Sequence, residues 1–160
     1  MKTRTILSLV ALLSVACSSP EKVAERSASP LPAPVPTEKP ADETGKFPEK
    51  NRVAVRIDDP HIFGKGMLPA GNVAVYKNKD VSYQLFLAKA KNPEAAAIML
   101  FDLKNSMGVA KYVPSFGGYY GVDNGAPLFV FQKGSYVAGV TGLVEKDADP
   151  IAREFAARVK

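Results

Sequence analysis

The chain has 160 residues, a formal net charge of +5 and 46% apolar content. That length holds one domain with appendages. The basic pI near 9.3 invites a nucleic-acid or anionic partner, but Lys77, Lys79, Lys89, Lys91, Lys104, Lys111 and Lys133 alternate with apolar residues and form no dense run, so the charge reads as a solvated surface and nucleic acid is not an expected partner.

The N-terminus has the layout of a secretory signal. Lys2 and Arg4 form a short positive region, residues 6–13 are apolar apart from Ser8, and small residues 14–16 follow. The apolar run is too short for a stable membrane span. Cys17 comes next and is the only cysteine, so no intramolecular disulfide forms and stability must come from a core.

From residue 18 to about 50 the composition shifts. Seven prolines occur with almost no large apolar residue, and "PLPAPVP" places proline at alternate positions. Such a stretch buries too little surface to offset ordering entropy, and it favours extended polyproline II. At about 3.1 Å per residue it reaches roughly 100 Å at most. The expected organisation is a signal peptide over 1–16, Cys17 with a disordered tether over 17–50, and one α+β globular domain over 51–160.

Within the domain, residues 53–57 alternate and end at "DDP", a strand and turn. Residues 73–76 and 81–88 read as a hairpin around "KNKD". Asn92 then predicts a helix N-cap, with Pro93 at the first position and Glu94 in the first turn. Ala96, Met99, Leu100, Leu103 and Met107 share one face, and Gly108 is the expected stop. Residues 128–131 and 136–140 form a second hairpin around Lys133 and Gly134. Residues 128–131 are apolar on both faces, which predicts a central strand covered on both sides. A final helix is predicted from an Asp149 cap and Pro150, with Ile151, Ala152, Phe155 and Val159 as its stripe and Glu154–Arg158 as an i,i+4 pair. Two hairpin–helix units give a ββα pseudo-repeat. The expected fold is a mostly antiparallel sheet with two helices packed on it.

Three stretches carry candidate chemistry. Asp58, Asp59 and His61 are ligand types close in sequence, but no second histidine or further cysteine completes a transition-metal site, and a solvent-facing turn explains them; no metal or cofactor is expected. "FGKGMLPAGN" lacks the frame of a phosphate-binding loop, and no G-x-S-x-G elbow occurs. "SFGGYYGVDNGAP" sets Phe116, Tyr119 and Tyr120 among glycines, followed by Asp123 and Asn124. It suits stacking on sugar rings or gripping a peptide. The plainer reading is a strand with alternating tyrosines, half of them in the core, and a "DNG" turn.

"LSVAC" resembles the lipobox of bacterial lipoproteins, with Ser14 standing where that family usually has Leu, Val or Ile. The resemblance implies a diacylglycerol on the Cys17 thiol, cleavage just before it, and anchoring by acyl chains worth about 0.8 kcal/mol per buried methylene. Ser18 resembles outer-membrane sorting, which implies a periplasm-facing outer-membrane protein where the cell has two membranes. "SVA" also fits ordinary signal peptidase, which would leave Cys17 a free thiol on a periplasmic or secreted soluble protein. From about residue 71 onward the alanine-rich helix, "GGYYG", "PLFVFQKGSYVAGV" and the terminal helix resemble an uncharacterised family of bacterial exported proteins (DUF6599-like), a likeness that implies no activity. The expected function is a lipid-anchored envelope protein with a non-enzymatic binding or accessory domain, its partner an envelope protein or cell-wall component. The alternatives are an envelope enzyme of hydrolase type with its site near His61 and the aromatic loop, or a small-ligand carrier.

Overall fold

Alternating apolar residues between tight turns build seven strands in the computed structural model, which describes residues 41–160. The expectations for the signal peptide, for Cys17 and for the tether up to residue 40 lie outside the described residues. In chain order the elements are β1 (Arg52–Asp58), β2 (Gly71–Asn78), β3 (Val81–Lys89), α1 (Pro93–Ser106), β4 (Lys111–Val113), β5 (Gly118–Asp123), β6 (Ala126–Lys133), β7 (Tyr136–Thr141) and α2 (Glu145–Arg158). The sheet order is β1-β2-β3-β7-β6-β5-β4, with every neighbour antiparallel. The protein is an α+β fold, an antiparallel sheet with two helices packed on it. Among the described residues no helix is long and apolar enough to cross a membrane.

Turn chemistry sets the registers. Asn78 pairs with Val81, so "KNKD" tightens to a two-residue turn with Lys79 at φ 53°. Asn124 and Gly125 both have positive φ, 48° and 81°, between paired Asp123 and Ala126. This is the pattern of a type I′ hairpin, whose twist matches that of the strands.

The two helices lie on opposite faces of the sheet. Phe129, Phe131, Ala138 and Val140 pack with Ala148, Ala152 and Phe155 of α2. Leu128, Val130 and Val137 pack with Ala96, Leu100 and Leu103 of α1. The strand over 128–131 is thus covered on both sides, as its two apolar faces predict. The hairpin–helix order does occur twice. A two-fold axis normal to the sheet would relate antiparallel β3 and β7, but it would put both helices on one face. The repeat is therefore one of element order alone.

Three local expectations are corrected. The globular unit starts before residue 51. Phe47 is fully buried and stacks on Phe155 at 5.0 Å. Arg52 Nη1 donates to the Phe47 carbonyl at 3.1 Å, and Tyr76 Oη donates to the Pro48 carbonyl at 2.8 Å. Buried Asn72 donates from Nδ2 to Ala41 O and accepts from Glu43 N. Residues 41–50 are a strap across the α2 side, not tether. Secondly, α2 begins four residues before Asp149. Its cap is Val144, whose carbonyl accepts from Asp147 and Ala148. Burial of Ala148 draws this extra turn onto the core, and the Asp149 carboxylate pairs with Arg153 at 2.8 Å instead of capping. Thirdly, α1 starts at Asn92 as expected, its Oδ1 accepting from Ala95 N at 2.8 Å, but Gly108 is no left-handed stop. Its amide donates to Val122 O on β5, so sheet contact ends the helix.

Candidate functional site

The sheet is wider than its covers. On the α1 face the helix shields β5, β6 and β7, while the β1–β2 loop folds over β2 and β3 with Ile62 and Leu68 buried. Between the two covers a cleft of about 310 Å³ opens over the β3–β7 junction. Its floor is cut from three strands in register, Gln84 and Phe86 on β3, Thr141 on β7 and Leu128 on β6. The loop supplies Phe63, Lys65 and Leu68, and the opposite wall is Leu103 of α1 with Asp123 and Asn124 of the β5–β6 turn. Arg56 of β1 stands at the mouth.

The loop is held by polar side chains. His61 Nδ1 bonds the Leu68 carbonyl at 2.8 Å and closes the loop on itself. Asp58 accepts from Arg56 Nε at 2.7 Å and from the backbone N–H of Phe63 at 3.1 Å. Phe63 adopts φ 52° and ψ 24°, a left-handed conformation that a bulky residue seldom takes. Its ring meets Phe86 edge to face at 5.6 Å. Across the cleft, Lys65 Nζ pairs with Asp123 at 2.7 Å.

The five residues of the aromatic stretch separate. β5 alternates, so Tyr120 serves the α2 face and Tyr119 the α1 face, while Phe116, in the turn before β5, packs on the α2 side. Phe116 packs edge-on to Phe131 at 4.7 Å with the Arg153 guanidinium 5.2 Å from its centroid. Tyr119 lies beside Tyr112 at 5.4 Å. Only Asp123 and Asn124 reach the cleft. The three aromatics are half-buried against the cores on two different faces and the turn carries the polar site, which corrects the picture of one joint surface. The physical cause is the two-residue period of a strand. Asp58 and His61 are engaged in loop hydrogen bonds, and no group of three His, Cys, Asp or Glu able to hold a metal occurs among the described residues. Sequence reasoning missed Arg56, Lys65, Gln84 and Thr141, which are far apart in the chain and share no motif.

A larger hollow of about 680 Å³ borders Ala41 and Glu43 of the strap and the ends of β2 and β3. Its charged groups are Glu43, Lys89 and Lys91.

No family model matches this chain, and no curated protein matches it. Among solved structures its fold is similar to that of a GTP binding regulator from Thermotoga maritima, with a TM-score of 0.52 and 15% identity over 72% of this chain and 82% of that one. At this identity the likeness is one of fold alone.

Proposed function

We propose that this protein is a lipid-anchored component of the bacterial envelope whose folded part is a non-enzymatic binding domain. Acyl chains on Cys17 hold the membrane, the Pro-rich segment spaces the domain from it, and the domain engages an envelope protein or a cell-wall component. The observation that carries the reading is the order along the chain: a signal-like N-terminus, one cysteine directly after small residues, a proline-rich stretch, then a domain. Two filled cores on either side of one sheet support it, since such a domain needs no disulfide. The bond between His61 and Leu68 supports a loop-closing duty for the one histidine over a catalytic one. Where the cell has two membranes, the protein faces the periplasm from the outer one.

The test is the intact mass of protein extracted from membranes, beside a Cys17→Ser form. A mature N-terminus at Cys17 carrying the mass of acyl chains, with the variant released or unprocessed, is the expected result. An unmodified Cys17 in the soluble fraction overturns the anchor and makes the protein a diffusible factor with a free thiol.

A further inference from the structure

The geometry points to the cleft over the β3–β7 junction as a binding site for a small organic acid, a ring-sized apolar body bearing one carboxylate. This goes beyond the envelope partner of the proposed function, and it uses the folded domain alone.

Size and lining set the body of the ligand. A volume of about 310 Å³ stands at the lower end of small-molecule pockets, which begin near about 300 Å³. It suits a single ring and not a long acyl chain. The apolar side of the cleft is the half-buried Phe63 ring over Leu68, Phe86 and Leu103, each only 1% exposed, and polar side chains form the rest. Phe63 is kept there in a left-handed backbone state by its N–H bond to Asp58. Strain held by surrounding structure concentrates at ligand sites, because the local contacts do not select it.

Hydrogen-bond capacity sets the head group. The carboxylates at the rim and the Gln84 side-chain oxygen are already engaged, while Asn124 Oδ1 and Thr141 Oγ1 keep accepting capacity. Asp58 takes Arg56 Nε and Phe63 N, both oxygens of Asp123 take Lys65 Nζ at 2.9 and 2.7 Å, and Gln84 Oε1 takes Arg56 Nη2 at 3.4 Å. The donors are not exhausted. Arg56 Nη1, Gln84 Nε2 and the third ammonium hydrogen of Lys65 have no protein acceptor among the described residues. These three donors, two of them cationic, favour a ligand that brings acceptor oxygens. The bonds of Arg56 Nη2 to Asp58 and Gln84 are long, 3.5 and 3.4 Å, so the outer edge of the guanidinium is open to a two-oxygen acceptor. A guanidinium edge and a carboxylate match in geometry and charge. The four charged side chains at the rim cancel in pairs, so no net negative field opposes one bound anion.

The experiment is a titration of the full chain carrying Cys17→Ser, handled without detergent, followed by amide chemical shifts. The probes are 3-phenylpropionate and its neutral amide, and the variants are Arg56→Gln and Arg56→Lys. Saturable shifts at Phe63, Phe86, Asn124 and Thr141, at least tenfold tighter for the acid than the amide, are expected. Arg56→Gln should lose that tenfold preference while its melting temperature falls no further than the loss of one partly exposed ion pair explains, and Arg56→Lys should keep part of the preference. Equal binding of acid and amide overturns the carboxylate assignment. An unchanged preference in Arg56→Gln does the same. Shifts confined to residues outside the cleft, or none at millimolar probe, overturn the site. The mass of Cys17 is read separately, so the anchor and the cleft fail independently.

Discussion

Lys65 and Asp123 are 58 residues apart in sequence, yet the ammonium of one lies 2.7 Å from the carboxylate of the other. Their side chains are only 14% and 12% exposed, and they tie the β1–β2 loop to the β5–β6 turn across the cleft. Removing one partner leaves the other charge poorly solvated, which costs more than the pair contributes. Asp123→Asn should lower unfolding free energy by about 1–2 kcal/mol in urea titrations, between the values for exposed and fully buried pairs. The double change Lys65→Met with Asp123→Leu should recover most of it. A single variant as stable as the wild type would show the tie to be idle.

The strap gives a second test. Phe47 is fully buried against Phe155, and Phe→Ala changes at such sites cost about 3–5 kcal/mol. Phe47→Ala should fall in that range. A chain starting at residue 51 should be destabilised at least as much as that variant, because it also loses the carbonyls that Arg52 and Tyr76 bond. Equal stability of chains starting at 41 and 51 would refute the packed strap.

The strap also carries a pH signature. Burial works against the charge on Glu43, but hydrogen bonds from Lys46 and the Tyr136 hydroxyl outweigh it and hold the carboxyl below its ordinary 4.5. Lys46 mirrors this: burial opposes its charge, while bonds with Tyr136 and Glu43 raise it above 10.5. A depressed acid contributes stability fully above its unfolded value and loses it as pH falls through the folded one. A raised base contributes below its unfolded value and loses it as pH rises through the folded one. The melting-temperature gap between wild type and Glu43→Gln should therefore hold from about pH 5 to about 9 and close below about 4. The gap for Lys46→Met should close only above about pH 10.5. A Glu43→Gln gap that widens in acid would contradict the assignment.

Pro150 lies within α2, one position after Asp149, where it has no N–H to offer the Lys146 carbonyl. Its side chain is exposed, so no packing is at stake. Proline in a helix interior is about 3 kcal/mol less favourable than alanine, less so near the N-terminus. Pro150→Ala should stabilise the protein by about 1–3 kcal/mol in thermal or urea unfolding. A loss of stability would place the helix start at 149 after all.

Elements decided by neighbours in sequence were legible. The α1 start at Asn92-Pro93, the "DNG" turn and the two-faced strand over 128–131 all rest on local chemistry, and the fold class followed from them. Elements decided by distant packing were not. Phe47 is one aromatic in a polar, proline-rich context, and nothing local marks its socket beside Phe155. Asp149-Pro150 mimics a helix start, while burial of Ala148 sets the true one. At the site, Asp123 and Asn124 stood out as turn residues, but proximity in sequence grouped them with tyrosines that the strand sends elsewhere. Their true companions, Arg56, Lys65, Gln84 and Thr141, meet them only because the sheet order brings β3 beside β7.

That junction holds the last prediction. Gly139 of β7 pairs with Phe86 of β3, and the Phe86 ring lies directly over the space a side chain would take. A methyl group there would collide with the ring and stand 2.6 Å from the Phe129 carbonyl oxygen. The carbonyl is fixed by the sheet, and the ring is buried as the floor of the cleft. Overpacking of this kind costs about 1–3 kcal/mol. Gly139→Ala should be destabilised by that amount, and the ring resonances of Phe86 and Phe63 should shift as the floor is pushed out. Gly66→Ala, where a methyl meets only open space, should stay within about 0.5 kcal/mol of the wild type. If Gly139→Ala matched Gly66→Ala in stability and left both rings unmoved, close contact at β3–β7 would not be what shapes the cleft.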